Sequence, residues 1–144
     1  MTIDDFDNEV LRVFNSACST RTQRPMSNRG YCPPADVYIE SSTGQIVVRF
    51  EIPGVERDDI ELLVDRRQVV ARGERRFPRA GDRSYQQVEL DYGAFERRLR
   101  LAVDIDPENT TATYDNGILE VRLAVAEHER DVAKIPIHSE RDRR

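Results

Sequence analysis

Apolar and polar residues alternate along several short stretches in the middle of the chain. The clearest is residues 45–52, where Ile46, Val48, Phe50 and Ile52 fall on one face, and Val47, Arg49 and Glu51 fall on the other. A period of two is the pattern of a half-buried β-strand. The same kind of pattern predicts further strands at residues 36–40, 60–64, 68–74, 95–103, 111–115 and 118–125.

Turn residues separate these predicted strands. Pro53-Gly54 follows the second strand, and Asn116-Gly117 lies between the last two. Asn-Gly is the strongest short hairpin signal, because both turn positions need positive φ. Short strands at this spacing, with little helix between them, predict an all-β fold, an immunoglobulin-like antiparallel β-sandwich.

A long excursion interrupts the strands between residues 75 and 94. It begins with several arginines and ends in a strand-like sequence, SYQQVEL, at residues 84–90. Connections of this length are usually functional or paired elsewhere. We therefore expect the excursion to carry a strand away from its own sheet.

Residues 2–14 predict a short amphipathic helix. Its apolar face is formed by Ile3, Phe6, Val10 and Val13. Residues 15–30 are rich in Ser, Thr, Asn and Arg, and we interpret them as a linker. The helix either packs on its own domain or offers its apolar face to partners, and the pattern favours neither alternative.

The C-terminal segment is polar apart from KIPIH at residues 134–138. Pro136 favours an extended backbone, so Ile135 and Ile137 point the same way. This pattern is typical of a peptide laid along a sheet, although an isoleucine pair can also arise by chance. The predicted domains are an N-terminal arm (1–32), a β-sandwich (33–126) and a C-terminal tail (127–144).

Composition and charge narrow the function classes. With 34% charged residues and a net charge of -5, the chain lacks the basic surface of a nucleic-acid-binding protein. It has no apolar run of membrane-spanning length, and its N-terminus is acidic where a signal peptide would be basic. We expect a cytoplasmic protein that binds no nucleic acid and does not span a membrane. In that compartment we expect Cys18 and Cys32 to be free thiols rather than one disulfide.

Motifs for enzyme chemistry are missing from the sequence. It contains no GxxxxGK[ST] phosphate loop, no GxSxG elbow and no GxGxxG fingerprint. His128 and His138 lack metal-ligand spacing, and we interpret them as solvated side chains. We expect no catalytic residues, no cofactor and no metal.

Several motifs point to one family. ATYDNGILEV at residues 112–121 closely resembles the A-x-x-x-N-G-[VI]-L signature of the small heat-shock proteins, the α-crystallin domain family of bacterial and plant type. PPADVYIE, IPGV, YGAFERRLRL and IPI resemble further family segments in the family's order. The resemblance covers residues 33–137. Ala102 departs from it, because the family usually has proline there.

The resemblance implies an ATP-independent chaperone, a holdase, that binds partly unfolded proteins and prevents their aggregation. It implies a dynamic homo-oligomer built from dimers that exchange a strand. Residues 85–89 would pair with the partner's residues 36–40. The exchanged residues are Tyr85, Gln86, Gln87, Val88 and Glu89.

The resemblance also implies a contact between dimers, in which the tail anchor docks in a groove of a neighbouring subunit. The anchor is Ile135, Pro136 and Ile137, and the groove is lined by Leu62, Val64 and Thr113. Arg97 matches the family arginine, Asn116 and Gly117 form the signature turn, and the apolar arm face binds clients.

Two other classes of protein remain. One is a monomeric β-sandwich adaptor, such as a cochaperone of the CS type, which lacks the excursion and the Ile-Pro-Ile tail. The other is a small hydrolase on a β-scaffold, which needs a nucleophile and a base that the sequence does not offer. A native mass separates the adaptor from the oligomeric chaperone.

Overall fold

The computed structural model describes residues 31–127 and the backbone of residues 17–18. Within these residues the chain forms eight strands and one turn of 3₁₀ helix, Arg57–Asp59. The strands are β1 (Ala17–Cys18), β2 (Ala35–Glu40), β3 (Gln45–Glu51), β4 (Ile60–Val64), β5 (Gln68–Arg75), β6 (Gly93–Arg100), β7 (Ile105–Asp115) and β8 (Ile118–Val125).

The strands form two four-stranded sheets that pack face to face. One sheet has the order β1-β6-β5-β4 and the other the order β2-β3-β8-β7. All neighbouring strands pair antiparallel. The predicted all-β antiparallel sandwich is therefore confirmed. Within the described residues, the terminal strands β1 and β4 of one sheet and β2 and β7 of the other each leave one edge open.

The core lies between the two sheets and is built by alternate residues. Ile46, Val48 and Phe50 of β3 are fully buried and belong to one cluster with Val69 of β5 and Leu99 of β6. Burying a side chain of this size contributes about 1.5–3 kcal/mol. The alternation along β3 that predicts a half-buried strand therefore also supplies much of the core.

The turn between β7 and β8 has the backbone that its sequence predicts. Asn116 and Gly117 have φ angles of 49° and 79°. A Cβ on Gly117 would lie 3.0 Å from the Cα of Pro53, in addition to the strain that positive φ imposes on other residues. Position 117 therefore requires glycine for two reasons: its φ is positive, and Pro53 leaves little room for a side chain.

Replacing Gly117 by alanine should lower the free energy of unfolding by about 1–2 kcal/mol, the cost of a left-handed backbone in an L-residue. Thermal unfolding followed by circular dichroism measures the loss. Gly81→Ala is the matched control, because a Cβ there meets no atom within 4 Å and its φ is not positive. Equal melting temperatures for the two variants would contradict this role of Gly117.

Two expectations about the N-terminal part are wrong. The predicted linker at residues 15–30 contains a strand, since Ala17 pairs with Arg98 and Cys18 with Arg97. A two-residue strand is too short to show an alternating pattern, which explains why the sequence does not reveal it. The expected free thiols are also wrong, because Cys32 is disulfide-bonded.

Two predicted strands have bounds that differ from the structure by more than one residue. The strand predicted at residues 95–103 ends at Arg100, and the amide of Leu101 then bonds to the carbonyl of Arg67 at 2.8 Å. The strand predicted at residues 111–115 begins earlier, at Ile105, with an irregularity between Asp106 and Thr111.

Candidate interaction surfaces

The edge of β2 that faces away from β3 is open in the described part of the chain. Tyr38 is 41% exposed on this strand, and Asp36 is exposed as well. At the end of the strand, the Glu40 carboxylate accepts hydrogen bonds from Thr43 Oγ1 and Arg122 Nη1, each at 2.9 Å. The bonds from Thr43 and then Arg122 hold the pKa of Glu40 below its ordinary value. An open edge offers unpaired N–H and C=O groups to another strand.

The excursion, residues 76–92, leaves the sandwich between β5 and β6 and forms no strand. Its base is an aromatic cluster, in which the Phe77 ring lies 4.9 Å from that of Tyr85 and 5.0 Å from that of Tyr92. The Tyr85 hydroxyl donates to the carbonyl of Pro78 at 2.8 Å. The chain therefore holds both ends of the excursion close to the sandwich.

The second half of the excursion carries exposed apolar side chains. Tyr85, Val88 and Leu90 are 44%, 45% and 61% exposed. Residues 85–89 pair with no strand among the described residues. Exposed apolar side chains on a segment that has no strand partner in the described structure have the properties of a surface that another molecule covers.

The open edges of β4 and β7 lie on the same side of the sandwich. At the start of β7, the amide of Ile105 donates to the carbonyl of Arg66 at 2.8 Å. At its end, the Tyr114 hydroxyl donates to the carbonyls of Ile52 and Val55 at 2.7 and 2.8 Å. Burial raises the pKa of the Tyr114 phenol. These bonds fix β7 against the segments that flank β4.

The three predicted groove residues do not share one face. Leu62 and Val64 of β4 are half-buried and pack against the core cluster. On β7 it is Tyr114 that packs against this cluster, whereas Thr113 is exposed and pairs with Glu120. The structure therefore brings Leu62 and Val64 together and places Thr113 on the side of β7 that faces away from the core.

Arg97 lies on β6, on the same face as the buried Phe95 and Leu99. Its Nη1 donates to the sulfur of Cys32 at 3.5 Å. Its Nε is buried and has no hydrogen-bond partner among the described residues. The sequence does not signal this contact, because the two residues are 65 positions apart.

The model of one protein family matches this chain from residue 38 to residue 138, well over half of its length. The description of that family is Hsp20/alpha crystallin. This chain belongs to the Hsp20/alpha-crystallin family. The resemblance found in the sequence is thereby confirmed.

Individual members of the family show the same likeness. An alpha-crystallin of Mycobacterium tuberculosis is 37% identical over 101 residues, which cover 69% of this chain and 68% of that protein. The 18 kDa heat shock protein of Streptomyces albus G is 34% identical over 122 residues, covering 83% and 82%. The solved structure of heat shock protein 16.0 from Schizosaccharomyces pombe superimposes with a TM-score of 0.61 at 26% identity, covering 75% of this chain and 99% of that one.

The remaining predicted site residues of this Hsp20-family chain lie outside the described residues. They are the arm residues Ile3, Phe6, Val10 and Val13 and the tail residues Ile135, Pro136 and Ile137. Between residues 31 and 127, no cluster of three or more histidine, cysteine or acidic side chains is placed to hold a metal ion. The described residues include no helix with the length and hydrophobicity of a membrane span.

Proposed function

We propose that this protein is an ATP-independent holdase that binds partly unfolded proteins in the cytoplasm and prevents their aggregation. Membership of a family of small heat-shock chaperones supports a chaperone role, and this family match is the observation that carries the proposal. Suppression of a heated client's aggregation without nucleotide tests it.

The proposed dimer forms by strand exchange. Residues 85–89 of one subunit pair with the open edge of β2 in the other. Three observations support this pairing: within residues 31–127 the outer edge of β2 is free and residues 85–89 have no strand partner, and Val88 and Leu90 are exposed. Each subunit would thus bury the apolar part of its excursion and satisfy a row of backbone groups in its partner.

The proposed contact between dimers is made by the tail. Ile135 and Ile137 of one subunit insert between the edges of β4 and β7 of another. Leu62 and Val64 would form the apolar floor on the β4 side, because both are half-buried and lie against the core. Thr113, exposed on β7, would form the outer rim.

We expect removal of residues 1–30 to leave a folded, mostly dimeric domain with weaker client protection, because the proposed client-binding face of the arm is lost. Native mass and client light scattering, measured on the same preparation, test this expectation.

Two double variants test whether client protection depends on the apolar face of the arm or only on the presence of the arm. Phe6→Ser with Val10→Ser should reproduce the loss of protection. Asp4→Ser with Asn8→Ser, which changes the opposite side of the predicted helix, should not. If the truncated protein kept its mass and its activity, the arm would have no part in assembly or client binding.

A further inference from the structure

The short strand β1 has little to hold it on the sandwich. It pairs with β6 through two residues, Ala17 opposite Arg98 and Cys18 opposite Arg97. Short strand pairs are marginal in water, so two residue pairs contribute little stability alone. Some other connection is needed to keep β1 on the edge that β6 presents away from β5.

A sulfur and a guanidinium lie at this same edge. Cys32 is disulfide-bonded, and the sequence contains one other cysteine, Cys18. Arg97, the residue of β6 opposite Cys18, donates Nη1 to the Cys32 sulfur at 3.5 Å. Arg97 is half-buried, and its buried Nε has no hydrogen-bond partner in the described structure, so the sulfur contact is one of the polar interactions of a partly desolvated cation.

We propose that Cys32 is the site of a thiol–disulfide switch, which joins β1 to the segment before β2 and so keeps β1 beside β6 when oxidised, and releases it when reduced. The reactants are low-molecular-weight thiols and disulfides of the glutathione class. In a reducing cytosol the thiol form would be favoured, and a rise in the proportion of oxidised glutathione would form the disulfide.

The exchange proceeds in two balanced steps. The Cys32 thiolate attacks one sulfur of glutathione disulfide, which forms a mixed disulfide and expels one glutathione thiolate. The thiolate of Cys18 then attacks the Cys32 sulfur and expels the second glutathione. Two protein thiols become one disulfide, one glutathione disulfide becomes two thiols, and reduction follows the reverse path. A guanidinium next to Cys32 favours its thiolate, the reactive form.

Reduction changes which strand forms the edge of this sheet, a consequence distinct from the proposed binding of clients. Without the covalent connection, two residue pairs remain to keep β1 in place, and the edge of β6 opens. An open edge exposes backbone N–H and C=O groups to any extended segment. The redox state would thus decide whether the edge of this sheet opposite β4 is the short strand β1 or the longer strand β6.

Labelling of the full-length protein in glutathione buffers tests the switch. The protein is equilibrated at increasing ratios of reduced to oxidised glutathione, quenched in acid and denatured. It is then alkylated with a maleimide, and its molecular mass gives the number of labels. We expect a change from no label to two labels, without a disulfide-linked dimer on a non-reducing gel. Two labels at every ratio, or a covalent dimer, would overturn the proposal.

Hydrogen exchange tests the structural consequence. Peptides covering residues 95–100 should exchange several-fold more slowly in the oxidised protein than in the reduced one, whereas peptides of β8 should not change. The variant Cys18→Ser with Cys32→Ser should match the reduced form in both buffers. Equal exchange of β6 in both redox states would contradict the release of β1.

The contribution of Arg97 is measured in the Cys18→Ser background, where Cys32 is the single thiol. Arg97→Gln should slow alkylation of Cys32 by iodoacetamide several-fold, and Arg97→Lys should keep most of the rate. Arg98→Gln is the matched control, because Arg98 lies on the other face of β6 and pairs with Glu96 at 2.8 Å. Equal rates in all variants would refute this contribution.

None of these readouts measures chaperone activity. Failure of the switch would leave the holdase proposal intact, and a protein without holdase activity would still show the labelling change. If Arg97→Gln did not fold, the labelling and exchange curves of the unmodified chain would still decide the proposal.

Discussion

Dimers should replace the larger oligomers when Ile135 and Ile137 are both changed to alanine. Burying two isoleucine side chains contributes about 3–6 kcal/mol before the tail is ordered, and fixing an extended tail removes much of this gain. Each tail contact is therefore weak, and the oligomer depends on many of them acting together. The double substitution weakens the tail contact of every subunit, so the small losses in binding free energy add up and the larger oligomer no longer forms.

Size-exclusion chromatography with light scattering measures this change. Val132→Ala is the matched control, because it removes apolar volume from the same tail outside the Ile-Pro-Ile motif. The melting temperature of the sandwich should stay the same, because the tail lies beyond β8 and the described core cluster is formed within residues 46–123. A double-alanine variant with the native mass would show that the tail does not join subunits.

Deletion of residues 79–88 should convert dimers into folded monomers. The core cluster contains no residue of this segment, so each sandwich keeps its own core. Phe77 and Tyr92 remain after the deletion and keep their contact at the base of the excursion. What is lost is the strand that we propose to pair with the partner's β2.

Analytical ultracentrifugation tests this deletion best in the Ile135→Ala, Ile137→Ala background, where tail contacts cannot mask the result. Replacing residues 79–83 by a glycine-serine segment of equal length is the control, since it spares residues 85–89 and should leave dimers. Dimers that persist after the deletion would rule out strand exchange.

The strands were predictable where alternation was strong or a turn needed special residues. The predicted strand at residues 118–125 has the bounds of β8, and the Asn116-Gly117 turn adopts its expected backbone. Alternation fails on β7, because Thr-Thr-Ala-Thr-Tyr offers no clear apolar face. The pairing of Tyr114 with Leu119 determines that face. Tyr114 and Leu62 pack against the core, whereas Thr113 lies on the outer face of β7.

Contacts between distant parts of the chain account for the other differences. Strand β1 has two residues, which is below the length at which a period can be recognised. The contact of Arg97 with Cys32 depends on how β6 packs against the start of the domain, and no local pattern encodes it. The expected reducing compartment favoured free thiols, whereas the fold places Cys32 in a disulfide.

The most direct test of the holdase proposal is the aggregation of a heat-unfolded client, followed by light scattering with no nucleotide present. With equimolar subunits of this protein, scattering should stay close to the baseline, and added ATP or a nucleotide-hydrolysing enzyme should not change it. An equal mass of a protein without chaperone activity should leave client aggregation unaffected. Scattering that rises as it does for the client alone, or suppression that requires ATP, would contradict the proposed function.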